Sequence, residues 1–428
     1  MRFVGLDLHR RTLEVCILDA TGKVLARHSV ACERNSLEAF ARAHLEPADK
    51  LAVEATTSTW AVSAIFRPFV AAIVVGNPMQ TRAIAQAKVK TDEIDAEVLA
   101  NLLRCEFLPE VWEPDGVTQR LRHLTGVPSA LVGDRTRFKN RIHGVLAGLL
   151  VVLPEGGLFT AKGLAWVRAL ELPEDARGTV DRFLRLYDAV DAELESLDAQ
   201  LRTLAHHDDR VRLLMTLPGV AHGVALTLVA ALGDVARFSD GDHAASYLGL
   251  TPIVRQSAGK CYRGPITKAG SSTARAMLTQ AAQHAAEHPG PLGAFYRRLK
   301  KRKARNVAIV ATARKLVTIA FLMLKNNEPY RYARPERVQA KLRHVERAAE
   351  EAGKSTKPKT GQPPGSELKD RLNRTYARVG LPEVKGPQIW PPGERRALDA
   401  AGAREFAEAV HAPPPRKGPK PKVAELEA

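Results

Sequence analysis

Apolar and polar positions change their period along the chain, and the changes mark out elements. Residues 3–8, FVGLDL, read as a strand with one acid set among apolar neighbours. TLEVCILDATGKVLARHSV reads as two strands around an Asp-Ala-Thr-Gly turn, a hairpin. SLEAFARAHL has helical spacing, KLAVEATT is a short buried strand, TWAVSAIFRPFV is helical, and AAIVVGNP is a strand closed by turn residues. VKTDEIDAEVLANLLRCEF then sets Ile94, Val98, Leu102 and Leu103 at helical steps. The predicted order is β-β-β-α-β-α-β-α.

That order describes an α/β ribonuclease H-like domain over residues 1–112, a hairpin-led sheet with helices outside. Residues 113–205 carry two long helical patterns separated by LPEGGLFTAKG, which predicts an antiparallel helical hairpin or coiled-coil arm. Residues 206–330 predict a further, mainly α unit. From 331 to 428, polar and Pro-rich runs such as EEAGKSTKPKTGQPPGSELKD predict a basic, largely disordered tail, with room for a short helix in GERRALDAAGAREFAEAVHA.

Composition adds charge to this picture. Lys and Arg number 64 against 47 Asp and Glu, a formal net charge of +17, which favours a polyanionic partner, nucleic acid above all. Four scattered cysteines without a CxxC pair argue against a zinc knuckle or disulfide framework and fit a reducing cytoplasm. No basic-then-apolar signal pattern opens the chain. The longest apolar stretch, VAIVATARKLVTIAFLML, is interrupted by Arg314 and Lys315 and suits a buried helix better than a membrane span.

Four carboxylates stand out in the first unit. Asp7 sits on the first strand, where an acid is costly unless something meets it. Glu54 ends the strand LAVE, which would pair beside the first. Asp92 and Asp95 stand three apart on one helix and share a face. Such a cluster suits Mg²⁺, a hard cation that keeps waters for a phosphate substrate. Singly, each acid has a plainer account: Glu54 as an ion-pair partner, Asp92 and Asp95 as acids favoured at a helix N-terminus. Together, in this order, they point to phosphoryl transfer.

The later chain offers polar chemistry of the opposite sign. LMTLPGVAHGVALTLVAALGD begins with a Leu-Pro-Gly-Val turn, and Gly219 and Gly223 would let backbone N–H groups approach a phosphate. A plain tight turn between packed helices explains them equally well. Ser257 lies in the loop RQSAGK between Arg255 and Lys260, and Lys268 and Arg275 follow near a helix start. A serine nucleophile needs such an exposed position with cations nearby. Ser271 and Ser272 are as available chemically, but sit more naturally as helix caps. The run RRLKKRKARN, with Arg297, Arg298, Lys300, Lys301 and Arg302, is the densest basic patch, a phosphate-contacting surface or a solvated turn.

At this point VGLDLH, AVEAT, VKTDEIDAEVLANLL, LPGVAHGVALTLVAALGD, YLGLTPIVRQSAGK and GPITKAGSSTARAMLTQAA, in this order, carry a resemblance. The chain resembles the DEDD-type transposases of the insertion-sequence 110 family, which are similar to certain DNA invertases. The resemblance implies a RuvC-like domain, a coiled-coil arm and a C-terminal transposase domain. It implies a Mg²⁺ site of Asp7, Glu54, Asp92 and Asp95, and a nucleophile at Ser257 that joins DNA through a 5′-phosphoserine bond. It further implies composite sites in a homo-oligomer, a synaptic tetramer. A bridge RNA pairing with donor and target DNA, and a nucleoid-associated cytoplasmic place in a bacterial or archaeal cell, follow from it too. One departure is Thr57, which stands where the family has Gly, with Trp60 keeping an aromatic nearby. The other functions open to the sequence are a structure-selective nuclease using the acids alone and a non-catalytic nucleic-acid-binding relic. A sugar-kinase-like ATPase lacks support, because GLDLHRR has no Gly-Thr phosphate loop.

Overall fold

A computed structural model describes residues 1–84, 92–257, 259–352, 368–386, 390 and 392–411. These form two compact units, 1–115 and 116–428.

The first unit is built on five strands: β1 (Phe3–Leu8), β2 (Thr12–Leu18), β3 (Val24–Ala31), β4 (Lys50–Glu54) and β5 (Ala72–Gly76). Their order in the sheet is β3-β2-β1-β4-β5. The first three pair antiparallel, and β1, β4 and β5 run parallel. Helices α1 (Arg34–His44), α2 (Thr59–Phe66), α3 (Pro78–Ile84) and α4 (Asp92–Arg104) complete the unit. The predicted order is therefore present, with α3 as an unpredicted short addition.

Strand period decides which helix covers which face. Val4, Leu6, Leu13, Val15, Ile17, Leu51 and Val53 point one way and are buried with Leu37 and Phe40 of α1 and Val62 and Phe66 of α2. Phe3, Cys16, Leu18 and Ala52 point the other way and pack with Ala96, Leu99, Ala100 and Leu103 of α4. Gly5 shares that second face. A Cβ there would lie 1.8 Å from the Ala96 carbonyl oxygen, so only glycine lets α4 lie directly on β1.

The second unit opens with two long helices, α5 (Gly116–Gly148) and α7 (Glu174–His207), with the short α6 (Ala161–Ala169) between them. They pair antiparallel: Arg135 bonds to Asp191, and Phe138 meets Phe183 with ring centroids 6.5 Å apart. Pro128 lies inside α5. The arm is continuous with the helices that follow. Arg122 Nε donates to the Ala230 carbonyl at 2.8 Å and its Nη2 to Ala231 at 3.0 Å, at the C-terminal end of α9 (His222–Leu232).

Helices α8 (Asp209–Leu214) and α11 (Ser272–Ala286) pack on α9, and together with α10 (Gly241–Tyr247) and α12 (Pro291–Lys300) they surround α13 (Arg305–Asn326), while β6 (Pro252–Ser257) and β7 (Lys260–Ile266) form a separate two-stranded ribbon. Helix α13 is long and apolar enough to cross a membrane by length and composition. Its Ala308, Ile309, Ala313, Leu316, Val317, Ala320 and Phe321 are buried in the core of this unit, as the sequence predicts for a core helix.

The expected loose tail is a difference. Residues beyond 331 form α14 (Pro335–Ala352), α15 (Leu368–Arg378), α16 (Pro392–Ala401) and α17 (Arg404–His411). Val338, Leu342 and Val345 recur at helical steps and are buried with Leu372, Tyr376, Trp390, Leu398 and Val410 in the same core. The Pro- and Lys-rich runs masked this sparse apolar pattern. Residues 353–367 and 412–428, which hold most of those runs, lie outside the described residues.

Candidate active site

Asp7 and Glu54 close adjoining parallel strands. The last paired positions of β1 and β4 are Leu6 and Val53, so the two acids are the next pair along. Both fall on the face that carries Phe3, Gly5 and Ala52, the face covered by α4. The Asp7 side chain is 17% exposed, and its Oδ2 lies 3.1 Å from His9 Nε2. The Glu54 backbone is held from the loop side, where the Thr59 hydroxyl donates to its carbonyl at 2.7 Å and accepts from the Thr56 N–H at 2.7 Å. Thr57 does not take a left-handed backbone angle.

The direction of α4 sets where its acids fall. Its last residue, Arg104, lies beside Gly22 in the β2–β3 turn, at the Phe3 end of β1. Its Ala96–Ala100 turn sits over Gly5, and Glu97 pairs with Arg27 at the same level, 2.5 Å away. The first turn, with Asp92 and Asp95, therefore runs toward the Asp7 end. Asp95 is partly exposed; the Asp92 side chain lies outside the described residues.

The donor set fits a divalent cation chemically, because it supplies hard carboxylate oxygens from three different elements at one sheet end. Among the described residues, no three His, Cys, Asp or Glu side chains are already drawn together as a metal-holding group. Glu14, which sequence reasoning missed, stands directly across from Asp7 on β2 and accepts from the Ser29 hydroxyl at 2.6 Å. Its signal was the strand alternation that puts residue 14 on the same face as Cys16. His9, Gly5 and Thr59 were also missed, since none belongs to an acidic motif.

Ser257 is in the second unit. It is the last residue of β6, exposed, and paired with Lys260, the first residue of β7. Arg255, two residues back, faces Tyr262 across the ribbon. Cross-strand partners share a face, so Ser257, Lys260, Arg255 and Tyr262 stand together on one side. Gly259 at the tip takes φ +78. Tyr262, 66% exposed, is an addition to the predicted set.

The remaining predicted contacts divide by what holds them. Gly219 takes φ +76, and a Cβ there would lie 2.2 Å from the Ala281 carbonyl oxygen of α11, so packing alone demands glycine. At Gly223 the nearest atom to such a Cβ is Met277 Cε at 3.6 Å, an ordinary contact. The turn around Gly219 turns three carbonyls inward to a cation: Lys341 of α14 donates to Met215, to Leu217 at 2.8 Å and to Val220 at 2.9 Å. Burial pulls the Lys341 ammonium down to about 7, while the three carbonyls favour its charged form.

Arg275 donates to the carbonyls of Leu248, Ala269 and Gly270, pinning the α11 entry, and burial lowers its pKa. Ser271 caps the same helix by accepting from Ala274 N–H at 3.1 Å, as predicted. Lys268 is exposed and takes φ +57. Arg297 donates to the His288 carbonyl at 3.2 Å, whereas Arg298, Lys300, Lys301 and Arg302 are exposed at the end of α12 and the following turn. Cation at a helix C-terminus is itself favourable, so this run has a local reason besides any ligand.

An α/β unit with Asp7 and Glu54 at one end of adjoining strands, followed by a mainly helical unit with an exposed serine ribbon, defines the class of protein at hand. Two family models place the chain within that class. The model of the IS110-type DEDD proteins, described as Transposase, matches residues 4–150, and that of the Transposase IS116/IS110/IS902 family matches residues 211–297, together more than half the chain. The chain belongs to the IS110 family of transposases, enzymes that act on DNA.

Individual relatives are distant. A protein of Sinorhizobium fredii, y4pF/y4sB, ascribed to the transposases, is 29% identical over 257 residues, 57% of this chain and 65% of its own length. The 44.8 kDa protein of insertion element IS116 from Streptomyces clavuligerus is 26% identical over 297 residues, 58% of this chain and 74% of its own. The transposase for insertion sequence element IS1111A from Coxiella burnetii is 23% identical over 349 residues, 77% of this chain and 92% of its own. The match thus spans just under two thirds of the first of these and more of the other two.

Proposed function

We propose that this chain moves a mobile insertion sequence by cutting and rejoining DNA through a serine–phosphate intermediate. The observation that carries this is the placing of Asp7 and Glu54 at the ends of adjoining central strands, on the face crossed by the helix that bears Asp95. The sheet order with its leading antiparallel hairpin supports a RuvC-like fold for residues 1–112. An arm over 113–205 and a serine-bearing unit over 206–330 complete the proposed division.

Asp7, Glu54, Asp92 and Asp95 would hold Mg²⁺, which when bound supplies Lewis acidity toward phosphate oxygens. His9 orients the Asp7 carboxylate from the loop side. On the ribbon, the Ser257 oxygen forms a bond to phosphorus and the bond to the departing 3′ oxygen breaks. The serine proton leaves and the departing oxygen gains one. Lys260 and Arg255 offset the charge that builds on the phosphate oxygens. The seryl ester keeps the phosphodiester energy for rejoining, so no external energy source is required. Donor and target DNA, a bridge RNA and further copies of this chain in a tetramer are the proposed partners, in the cytoplasm.

The test incubates the full chain with Mg²⁺, cognate DNA and the RNA encoded beside the element, then looks for a denaturation-resistant protein–DNA adduct. Ser257→Ala and Asp7→Ala are each expected to abolish it. An adduct that survives Ser257→Ala would sink the nucleophile assignment. Cleavage without any adduct would replace recombination by nuclease action, and binding without cleavage would make the chain a relic.

A further inference from the structure

The second unit contains a cavity of about 490 Å³ between α12, α13 and α16. It belongs to neither centre described above, and α16 lies beyond the residues matched by either family model. Phe295, Ile319 and Leu398 form much of its apolar lining. Its polar side includes Glu394, which accepts from the Tyr332 hydroxyl and from Arg331 at 3.0 Å, along with Asn326 and Glu328, the latter paired with Arg331 at 3.3 Å. Tyr330 also lines the cavity, is 5% exposed, and its hydroxyl has no hydrogen-bond partner among the described residues. Arg298 and Lys315 stand on the same lining, and the basic run of residues 297–303 continues outward from Arg298.

We propose that this cavity receives one unstacked nucleotide of a nucleic-acid strand. An apolar slot with aromatic walls suits the faces of a base, and any base has such faces. Glu394 has two of its acceptor positions engaged and others left, so it can accept from an exocyclic amine at the base edge. Arg298 and Lys315 supply the cations for the adjoining phosphate. A purely apolar ligand would leave the remaining acceptor positions of Glu394 unused. The volume takes one nucleotide and not a duplex, so the strand must be unpaired there. The inference rests on the reading of this chain as one that handles nucleic acid.

Full-length protein is titrated against end-labelled strands of about 12 nucleotides, a length within known single-strand site sizes, and binding is read by fluorescence anisotropy. The strands are oligo-adenylate as DNA, the same as RNA, and an abasic strand of equal length. The variant is Ala397→Trp, at an exposed position on the cavity lining, which fills the cavity and removes no charge. It is expected to weaken both base-bearing strands about tenfold, the scale of one stacked base, and to leave the abasic strand unchanged. The DNA and RNA arms show which strand the site prefers.

Glu394→Gln is expected to weaken oligo-adenylate more than oligo-thymidylate, since thymine lacks the amine. Equal binding of base-bearing and abasic strands by the natural protein, or no selective loss in Ala397→Trp, would overturn the site. The Ser257 adduct is scored separately. An adduct formed alongside base-blind binding removes this site and leaves recombination standing; selective loss in Ala397→Trp without any adduct does the reverse.

Discussion

Gly5 has no side chain because α4 leaves no room for one. A single methyl would meet the Ala96 carbonyl at 1.8 Å, and backbone cannot swing away as a side-chain end can. Gly5→Ala should therefore lift α4 off the sheet and carry the Asp95 turn with it. A loss of about 1–3 kcal/mol is expected for the first unit, the usual size of an overpacking penalty, read from urea unfolding. The Ser257 adduct should fall with it, because the acids on β1 and α4 lose their common level. Unchanged unfolding would mean that α4 does not rest on β1 as described. Asp7 and Glu54 were legible in the sequence because an acid at the end of an apolar strand violates a pattern. Gly5 and Glu14 were not, because a glycine in a strand and a glutamate on an alternating strand fit ordinary sheets.

At the scale of elements, the Leu217–Val220 turn shows how one local sequence serves a distant one. A Leu-Pro-Gly turn predicts a tight connection, and that is what α8 and α9 have. Nothing in that local pattern announces that its carbonyls converge on Lys341, more than a hundred residues later. Contacts of that span have no periodicity to read. Lys341→Met keeps the length and removes the donors, leaving carbonyls of Met215, Leu217 and Val220 without them. A cost of about 2–4 kcal/mol is expected, from charge-assisted hydrogen bonds lost and buried acceptors left open. Faster amide exchange over residues 215–223 would report it; exchange at the natural rate would mean the turn holds without α14. The strands and long helices, by contrast, were legible, since each carries its own repeat of two or of three and four.

For the whole molecule, the described tail helices belong to the core of the second unit. Removing residues after 330 would strip Val338, Leu342, Leu372, Tyr376 and Trp390 from their partners. The shortened chain is expected to melt lower and to aggregate on gel filtration. A loose tail would instead leave melting unchanged. Composition misled here because Pro, Lys and Glu outnumber the few apolar residues that bury. The other whole-molecule feature is α5. Arg122 fixes its base to the end of α9, and six residues further on Pro128 lacks the N–H that would bond the preceding turn. Beyond that joint α5 stays packed on α7 through Arg135–Asp191, Phe138–Phe183 and the buried Ile142 and Leu146, so any bend is shared by the two paired helices. Some twenty residues follow the proline, about 30 Å at the helical rise, so a flex of roughly 10° swings the far end by about 5 Å. That reach is larger than the ~3.4 Å spacing of neighbouring nucleotides along one duplex strand, the step by which a strand lying on the arm would shift.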